Sequence, residues 1–316
     1  MGEPTGNTEN KVSRGGLGGR NVQLGEVAQA QLDPGIPTEF PTAIERADIR
    51  PGHIEIGGTE LILQRHGKYE RDTSLEKAGS LTPEAAAAER SAAEEYFRTL
   101  FAGMSEDERA TVDIMFVASD TSYHGAGKRS YETALIAQEA ARTVLGEYGL
   151  SEDQIINFSQ GLWGEGAPRP MANLREPNMF SNSPDFVKFL QDKYGDLGLD
   201  FWVAFEEDTE REVREKMGAE GPDQIADRMA KSVRVLARYA ENYHRNKPGR
   251  RLIIWAATHY DTISPFIKRE VFGVGKEAQL LVDYGAGVTI DISPGGSATT
   301  ELGEKTYQVP VKRETT

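Results

Sequence analysis

Thr59 to Gln64 reads TELILQ, a short apolar run preceded by Gly57-Gly58. A run of this length cut off by glycine predicts a buried strand, since a helix needs a longer periodic stretch. Working outward, the same signal recurs at Val112 to Ser119 (VDIMFVAS) and at Leu252 to Ala257 (LIIWAA). Near-continuous apolar character is what strands covered on both faces carry. Helices separate them. Thr82-Pro83 places an N-cap before a proline at the first helical position, and Ala88, Ala92, Tyr96 and Leu100 then recur every four residues. A second helix is expected from about Arg129 to Tyr148, closed by Gly149 in the left-handed conformation. A third opens at Pro222, aligns Ile225, Met229, Val233 and Leu236, and ends in a basic turn with Arg245 and Lys247 before Pro248-Gly249. Strands alternating with helices in this way predict an α/β fold, a three-layer sandwich around a mostly parallel central sheet.

Two segments depart from that rhythm. Residues 1–50 are rich in Gly, Pro, Thr, Asn and Glu without sustained periodicity, and they read as a disordered N-terminal tail ahead of a domain spanning 51–316. Glycines Gly15, Gly16, Gly18 and Gly19 lack the flanking strand and helix of a phosphate loop, so they read as linker. Residues 151–221 mix Gly, Pro, Asn and Trp with short amphipathic pieces such as Ser183 to Tyr194. This segment is expected as a loop-rich insertion, or cap, over the rim of the sheet. The last stretch, Gln279 to Val311, alternates with period two around Gly285, Gly287 and Gly295-Gly296, which predicts closing strands joined by glycine turns.

Composition narrows the chemistry. The 316 residues are 38% apolar and 27% charged, and 36 basic against 50 acidic side chains leave a net charge of −14. A surface for nucleic acid or anionic lipid is therefore not expected. The absence of cysteine excludes disulfides, thiolate metal sites and cysteine nucleophiles. No apolar run is long enough to span a bilayer, and Met1 to Arg20 has no apolar signal core, so a cytoplasmic location is the expectation.

In an open α/β sheet ligands bind beyond the carboxyl ends of the strands. His66 follows the first strand within Arg65-His66-Gly67, and His259 follows the third within Thr258-His259-Tyr260-Asp261. Beyond the second comes the polar loop Asp120 to Lys128, leading to Arg129 at a helix start. Two imidazoles, two guanidiniums and a helix amino terminus would meet at one edge, an assembly suited to phosphate. Arginine forks grip phosphoryl oxygens in pairs while a neutral imidazole nitrogen attacks phosphorus. The remaining work is positioning and charge stabilisation.

Leu61 to Gly67 (LILQRHG), Leu81 to Glu84 (LTPE), Lys128 to Ala134 (KRSYETA) and Ile253 to His259 (IIWAATH) stand in a telling order. Together they resemble the phosphoglycerate mutase-like branch of the histidine phosphatase superfamily, over roughly residues 59 to 311. The resemblance implies that His66 is transiently phosphorylated, that Arg65, Arg129 and His259 form the phosphate pocket, and that an acidic side chain protonates the leaving group. It implies no metal and no cofactor. The activity expected is phosphomonoester hydrolysis; a mutase-like phosphotransferase and a catalytically weak phosphate-binding module are the alternatives. A small phosphorylated substrate or a phosphopeptide is the expected partner, with no nucleic acid and no membrane, and oligomeric state is open.

Departures from the family pattern fall around the loops. Where many relatives carry Glu-Thr and an asparagine after the first motif, this chain has Lys68-Tyr69-Glu70-Arg71-Asp72. Gly67, Lys68 and Arg71 are nonetheless candidate substrate contacts, and Tyr123 and His124 belong to the loop ahead of Arg129. Where a proton-donating glutamate is expected, the comparable position is Asn157, ahead of Gly161-Leu162-Trp163-Gly164-Glu165-Gly166. The general acid is then Asp261, favoured over Glu165, with the glutamates Glu206 and Glu207 of Phe205-Glu206-Glu207-Asp208 a third option; a carboxyl beside phosphate has its pKa raised, as a donor at neutral pH requires. Gly125-Ala126-Gly127-Lys128 lacks the spacing of an ATP loop. His244 is read as a helix-dipole partner, His53 as a loop residue, and Trp163, Trp202 and Trp255 as core or rim anchors.

Overall fold

The computed structural model describes residues 40–72, 74–122, 128–157, 166–276 and 278–311. Its strands are β1 (Ala43–Ile44), β2 (Thr59–Arg65), β3 (Val112–Ala118), β4 (Arg169–Pro170), β5 (Arg251–Thr258), β6 (Leu281–Val282), β7 (Gly287–Ile292), β8 (Ala298–Leu302) and β9 (Lys305–Gln308). The main sheet runs β4-β3-β5-β2-β7-β8-β9. Pairings among β4, β3, β5 and β2 are parallel, and those from β2 through β9 are antiparallel. The period-two C-terminal stretch thus forms the antiparallel arm of the sheet.

The longer helices are α1 (Pro83–Ala102), α2 (Arg129–Glu147), α3 (Pro184–Tyr194), α4 (Leu199–Glu206), α5 (Pro222–Asn246) and α6 (Tyr260–Phe266). Alternate residues of each central strand feed different layers. Ile62, Ile114, Phe116, Ile253 and Trp255 pack with Phe97 and Val144 of α1 and α2. Leu61, Leu63, Met115, Ile254 and Ala256 pack with Met229, Val233 and Leu236 of α5. Both faces are covered, which is why the strands read as unbroken apolar runs.

Helix starts follow their caps. Thr82 Oγ1 accepts from Ala85 N at 3.2 Å, with Pro83 behind it. Gln224 Oε1 accepts from Gly221 N at 2.8 Å at the start of α5. The buried stripe of α1 differs from the expected one: Ala88 is exposed, and Glu89, Ala93, Tyr96, Phe97, Leu100 and Phe101 face the sheet. In an alanine-rich helix the phenylalanines, with far more apolar surface to bury, set the rotation. His244 also departs from expectation. Its Nε2 lies 2.8 Å from Thr59 Oγ1 and burial lowers its pKa, so it is a neutral hydrogen-bonding partner of β2 rather than a cation at the helix end.

Residues 1–39 of the expected tail lie outside the described residues. Residues 40–50 belong to the folded body: Ile44 is fully buried, Phe40 stacks on Phe272 at 5.3 Å, and β1 pairs in parallel with β6. A two-residue strand is too short to leave a periodic trace in the sequence, so the body begins earlier than expected. The insertion is richer in helix than its glycine and proline content suggests. Phe186 with Leu190 on α3, and Phe201 with Phe205 on α4, are buried i, i+4 pairs that close a separate apolar cluster with Met179, Ala219 and Ile225.

Among the described residues no helix is long and apolar enough to cross a membrane.

Candidate active site

The carboxyl ends of β2, β5 and β3 open onto a cavity of about 830 Å³. Arg65, His66, Arg129, His259 and Asp261 all line it, and each is nearly or fully buried. Register brings them together: Arg65 of β2 pairs with Thr258 of β5, so the residues that follow these strands emerge side by side. His66 N donates to Thr258 O at 3.0 Å, and the two imidazole centroids lie 5.2 Å apart. Arg65, His66, Arg129 and His259, far apart in sequence, thus lie at one rim of the sheet.

His66 has a defined tautomer. Its Nδ1 lies 2.8 Å from the Gly67 carbonyl, which can only accept, so Nδ1 carries the proton. Nε2 keeps a lone pair and accepts from Arg129 Nε at 3.0 Å. Burial, then the cations Arg129 and Arg65 with the neighbouring His259, hold the His66 pKa well below its ordinary value. His66 is therefore neutral at pH 7. Gly67 N donates to Thr133 Oγ1 at 3.1 Å, and a Cβ at Gly67 would press on Glu89 at 3.1 Å, so glycine lets the loop sit tightly on α1.

The guanidiniums are fixed from different sides. Arg65 donates to Val282 O at 2.5 Å and lies over the Tyr284 ring at 3.8 Å. Arg129 donates to Glu176 Oε2 at 2.5 Å and lies over Tyr69 at 4.4 Å. His259 Nε2 lies 2.9 Å from Ser119 Oγ and 3.3 Å from Ser130 Oγ. Arg65 Nε and His259 Nδ1 are buried with no hydrogen-bond partner among the described residues. Burial first, and then the Glu176 carboxylate, raise the Asp261 pKa to about 7. For Tyr284, burial pushes the phenol up, but Arg65, Arg71 and Arg129 together leave it below its ordinary value.

A network beneath the cluster supports it. Gln64 Nε2 donates to Glu89 Oε2 at 2.8 Å, and Trp255 Nε1 donates to Gln64 Oε1 at 2.7 Å. Arg46, from the segment read as tail, pairs with Glu89 and donates to Tyr284 O at 3.4 Å. Gly285 follows with φ +72°, in a space that a side chain would share with Arg46 and Glu89.

Several expectations land elsewhere. Lys68 and Gly67 do not line the cavity, whereas Arg71 does and donates to the Tyr284 hydroxyl at 2.6 Å. Glu206 is buried against Lys268 and accepts from Ser264 Oγ at 3.0 Å, and with Glu207 it faces a separate small hollow. Asp208, next in the chain, is held by Arg214 at 2.6 Å, and none of these three lines the larger cavity. Asn157 is exposed and absent from the cavity wall. Glu165, Trp163, Tyr123 and His124 lie outside the described residues. Sequence reasoning missed Tyr69, Tyr260, Tyr284, Arg175 and Glu176, all of which line the cavity. The Arg175-Glu176-Pro177 run was visible as a charge pair in the insertion, but nothing local tied it to a strand end. Among the described residues no group of three or more His, Asp or Glu side chains is placed to hold a metal ion.

No protein-family model and no curated protein matches the chain. Solved structures that match include a mycobacterial hydrolase at 14% identity and TM-score 0.44, covering 79% of this chain and 99% of its own. A Bacillus stearothermophilus protein, YhfR, matches at 14% identity and TM-score 0.43, covering 78% and 97%. A mycobacterial glucosyl-3-phosphoglycerate phosphatase matches at 13% identity and TM-score 0.39, covering 78% and 99%. Identity this low carries no residue's role from those proteins to this chain.

Proposed function

We propose that the chain is a phosphomonoester hydrolase of the histidine phosphatase type, working through a phosphohistidine at His66. The observation that carries this reading is the tautomer of His66, an imidazole tied at Nδ1 to Gly67 O, with its Nε2 lone pair accepting from the buried Arg129 and a second imidazole centred 5.2 Å away. Arg65 Nε is a buried donor in want of an acceptor, and an entering phosphate supplies one. His259 Nδ1 joins it when that nitrogen holds the ring proton.

Binding begins with an exchange of partners. The ester's anionic oxygens compete with the His66 lone pair for Arg129, whose N–H leaves Nε2 and turns to the phosphoryl group. Nε2 then attacks phosphorus in line, the bond to the ester oxygen breaks, and Asp261 gives that oxygen its proton. With its pKa near 7, the Asp261 carboxyl is protonated in a substantial fraction of molecules at neutral pH. Arg65 and Arg129 hold the equatorial oxygens as charge spreads over them. In the second step the Asp261 carboxylate takes a proton from water, the oxygen attacks phosphorus, the N–P bond breaks, and phosphate leaves with His66 neutral again.

Rapid quenching into alkali followed by mass spectrometry tests the intermediate. During turnover the peptide containing His66 should gain one phosphoryl group that acid removes. His66→Ala should lower kcat/KM by about 10³–10⁵-fold with the fold unchanged by circular dichroism. Full activity in that variant would overturn the reading.

A further inference from the structure

The phosphate pocket accounts for little of the cavity. A phosphoryl group displaces roughly two or three waters, on the order of 60–90 Å³, against about 830 Å³ of open space. The remainder runs from His66 outward under the cap, where its walls change character. Tyr260 meets Trp202 edge-on at 5.8 Å, and Trp202 meets Phe180 at 6.1 Å, a continuous aromatic path leading away from the reacting centre. Val187 of α3 and Leu197, ahead of α4, complete that wall. These four cap side chains are only half-buried, although each is packed at its back against the apolar cluster of the cap. Exposed apolar surface gathered inside a cleft gains from an apolar occupant.

Charge points the same way. Beyond Arg65 and Arg129, the cavity's arginines among the described residues are Arg71 and Arg175. Arg71 donates to the Tyr284 hydroxyl, and Arg175 is paired with Glu220 at 3.3 Å. Under the cap the acidic or amide groups are Glu176, already on Arg129, and Gln191. Among the described residues Arg175 is the cation that the cap itself brings to the cavity, and its charge is already paired with Glu220, so a second anionic group gains little against the cap wall.

Resting on the phosphatase reading above, we infer that the substrate is the phosphate monoester of a bulky, uncharged, largely apolar alcohol, whose organic group lies against Phe180, Val187, Leu197 and Trp202. Specificity then resides in the cap and chemistry in the sheet.

Two esters of primary alcohols with similar leaving groups separate binding from reactivity: 2-(1-naphthyl)ethyl phosphate and glycerol phosphate. The wild type should favour the naphthyl ester in kcat/KM by at least about thirtyfold, as a filled apolar subsite gives. The double variant Val187→Ser/Leu197→Ser should bring that ratio down by about tenfold or more, through KM and kcat/KM for the naphthyl ester. His66-dependent hydrolysis of both esters with a ratio at or below one would overturn the leaving-group inference and leave the phosphatase reading standing. An unchanged ratio in the double variant would overturn the assignment of these walls. Turnover of neither ester by the wild type would overturn the phosphatase reading and this inference with it.

Discussion

At the ends of β2, β5 and β3 the clustered polar side chains are held by hydrogen bonds to the backbone, to hydroxyls or to carboxylates, while across the cavity Phe180, Val187, Leu197 and Trp202 rest on the buried apolar cluster of the cap. The first region depends on strand register, so a shift of one residue would remove His66 or His259 from the rim. The second depends only on a small apolar cluster closing, which tolerates exchange among similar residues. On the reading proposed above, geometry for bond-making is built into the sheet, and shape for selection into an appended layer that can change without disturbing it.

The joint between the two regions gives the largest expected effect. Glu206 ends α4 in the cap, and Lys268 follows α6 in the body; both are buried and paired. Lys268→Met leaves a carboxylate in a dry site and should lower stability by about 3 kcal/mol in urea unfolding, with Lys268→Met/Glu206→Gln recovering most of it. A single variant as stable as the wild type would mean that the apolar cluster alone seats the cap.

Asp261 sharpens it from the catalytic side. In its proposed role as proton donor it must be protonated in the free enzyme, so kcat/KM should fall as pH rises past about 7, while His66, held well below its ordinary pKa, stays neutral through mildly acidic pH. Asp261→Asn should cost about 100-fold in kcat and remove the alkaline limb from the pH profile. A limb that persists in the variant would move the role to another carboxyl, with Glu176 next to be replaced.

The smallest effect concerns how well the sheet region satisfies its own polar groups. Glu60 on β2 is fully buried, accepting from Tyr96 and from Gly52 N at 2.9 Å, and burial raises its pKa from 4.5 to about 7. A raised carboxyl pKa favours the folded state most below the unfolded value of 4.5, and that contribution is lost as pH climbs through about 7. Glu60→Gln should therefore be relatively more stable than the wild type at pH 8 than at pH 5, by about 1–2 kcal/mol in thermal melts. An equal difference at both values would show that Glu60 is ionised without penalty, through Tyr96 and Gly52.

What could be read from the residues alone follows the same division. Central strands announce themselves because both faces are covered, and His66, Arg65, Arg129 and His259 are legible because each sits at the end of such a strand or the start of its helix. Asp261 was within reach by adjacency. Glu176 and Arg175 were not, since they arrive on an irregular stretch after β4 whose pairing with β3 spans only two residues. Tyr284 reaches the site from the turn between β6 and β7, and Arg46 from a single 3-10 turn just after a strand too short to register. A side chain placed by tertiary packing leaves no local mark, and most of the cavity wall is of that kind.

One hydrogen bond has a wider consequence. Arg129 Nε donates into the Nε2 lone pair of His66, so the guanidinium holds that electron pair. Stray electrophiles that drift into the cleft find a capped imidazole, because uncapping requires an anion able to draw the guanidinium away. On the phosphatase reading, an anionic ester is thus selected before any bond is made, by a lock that the right visitor carries the key to.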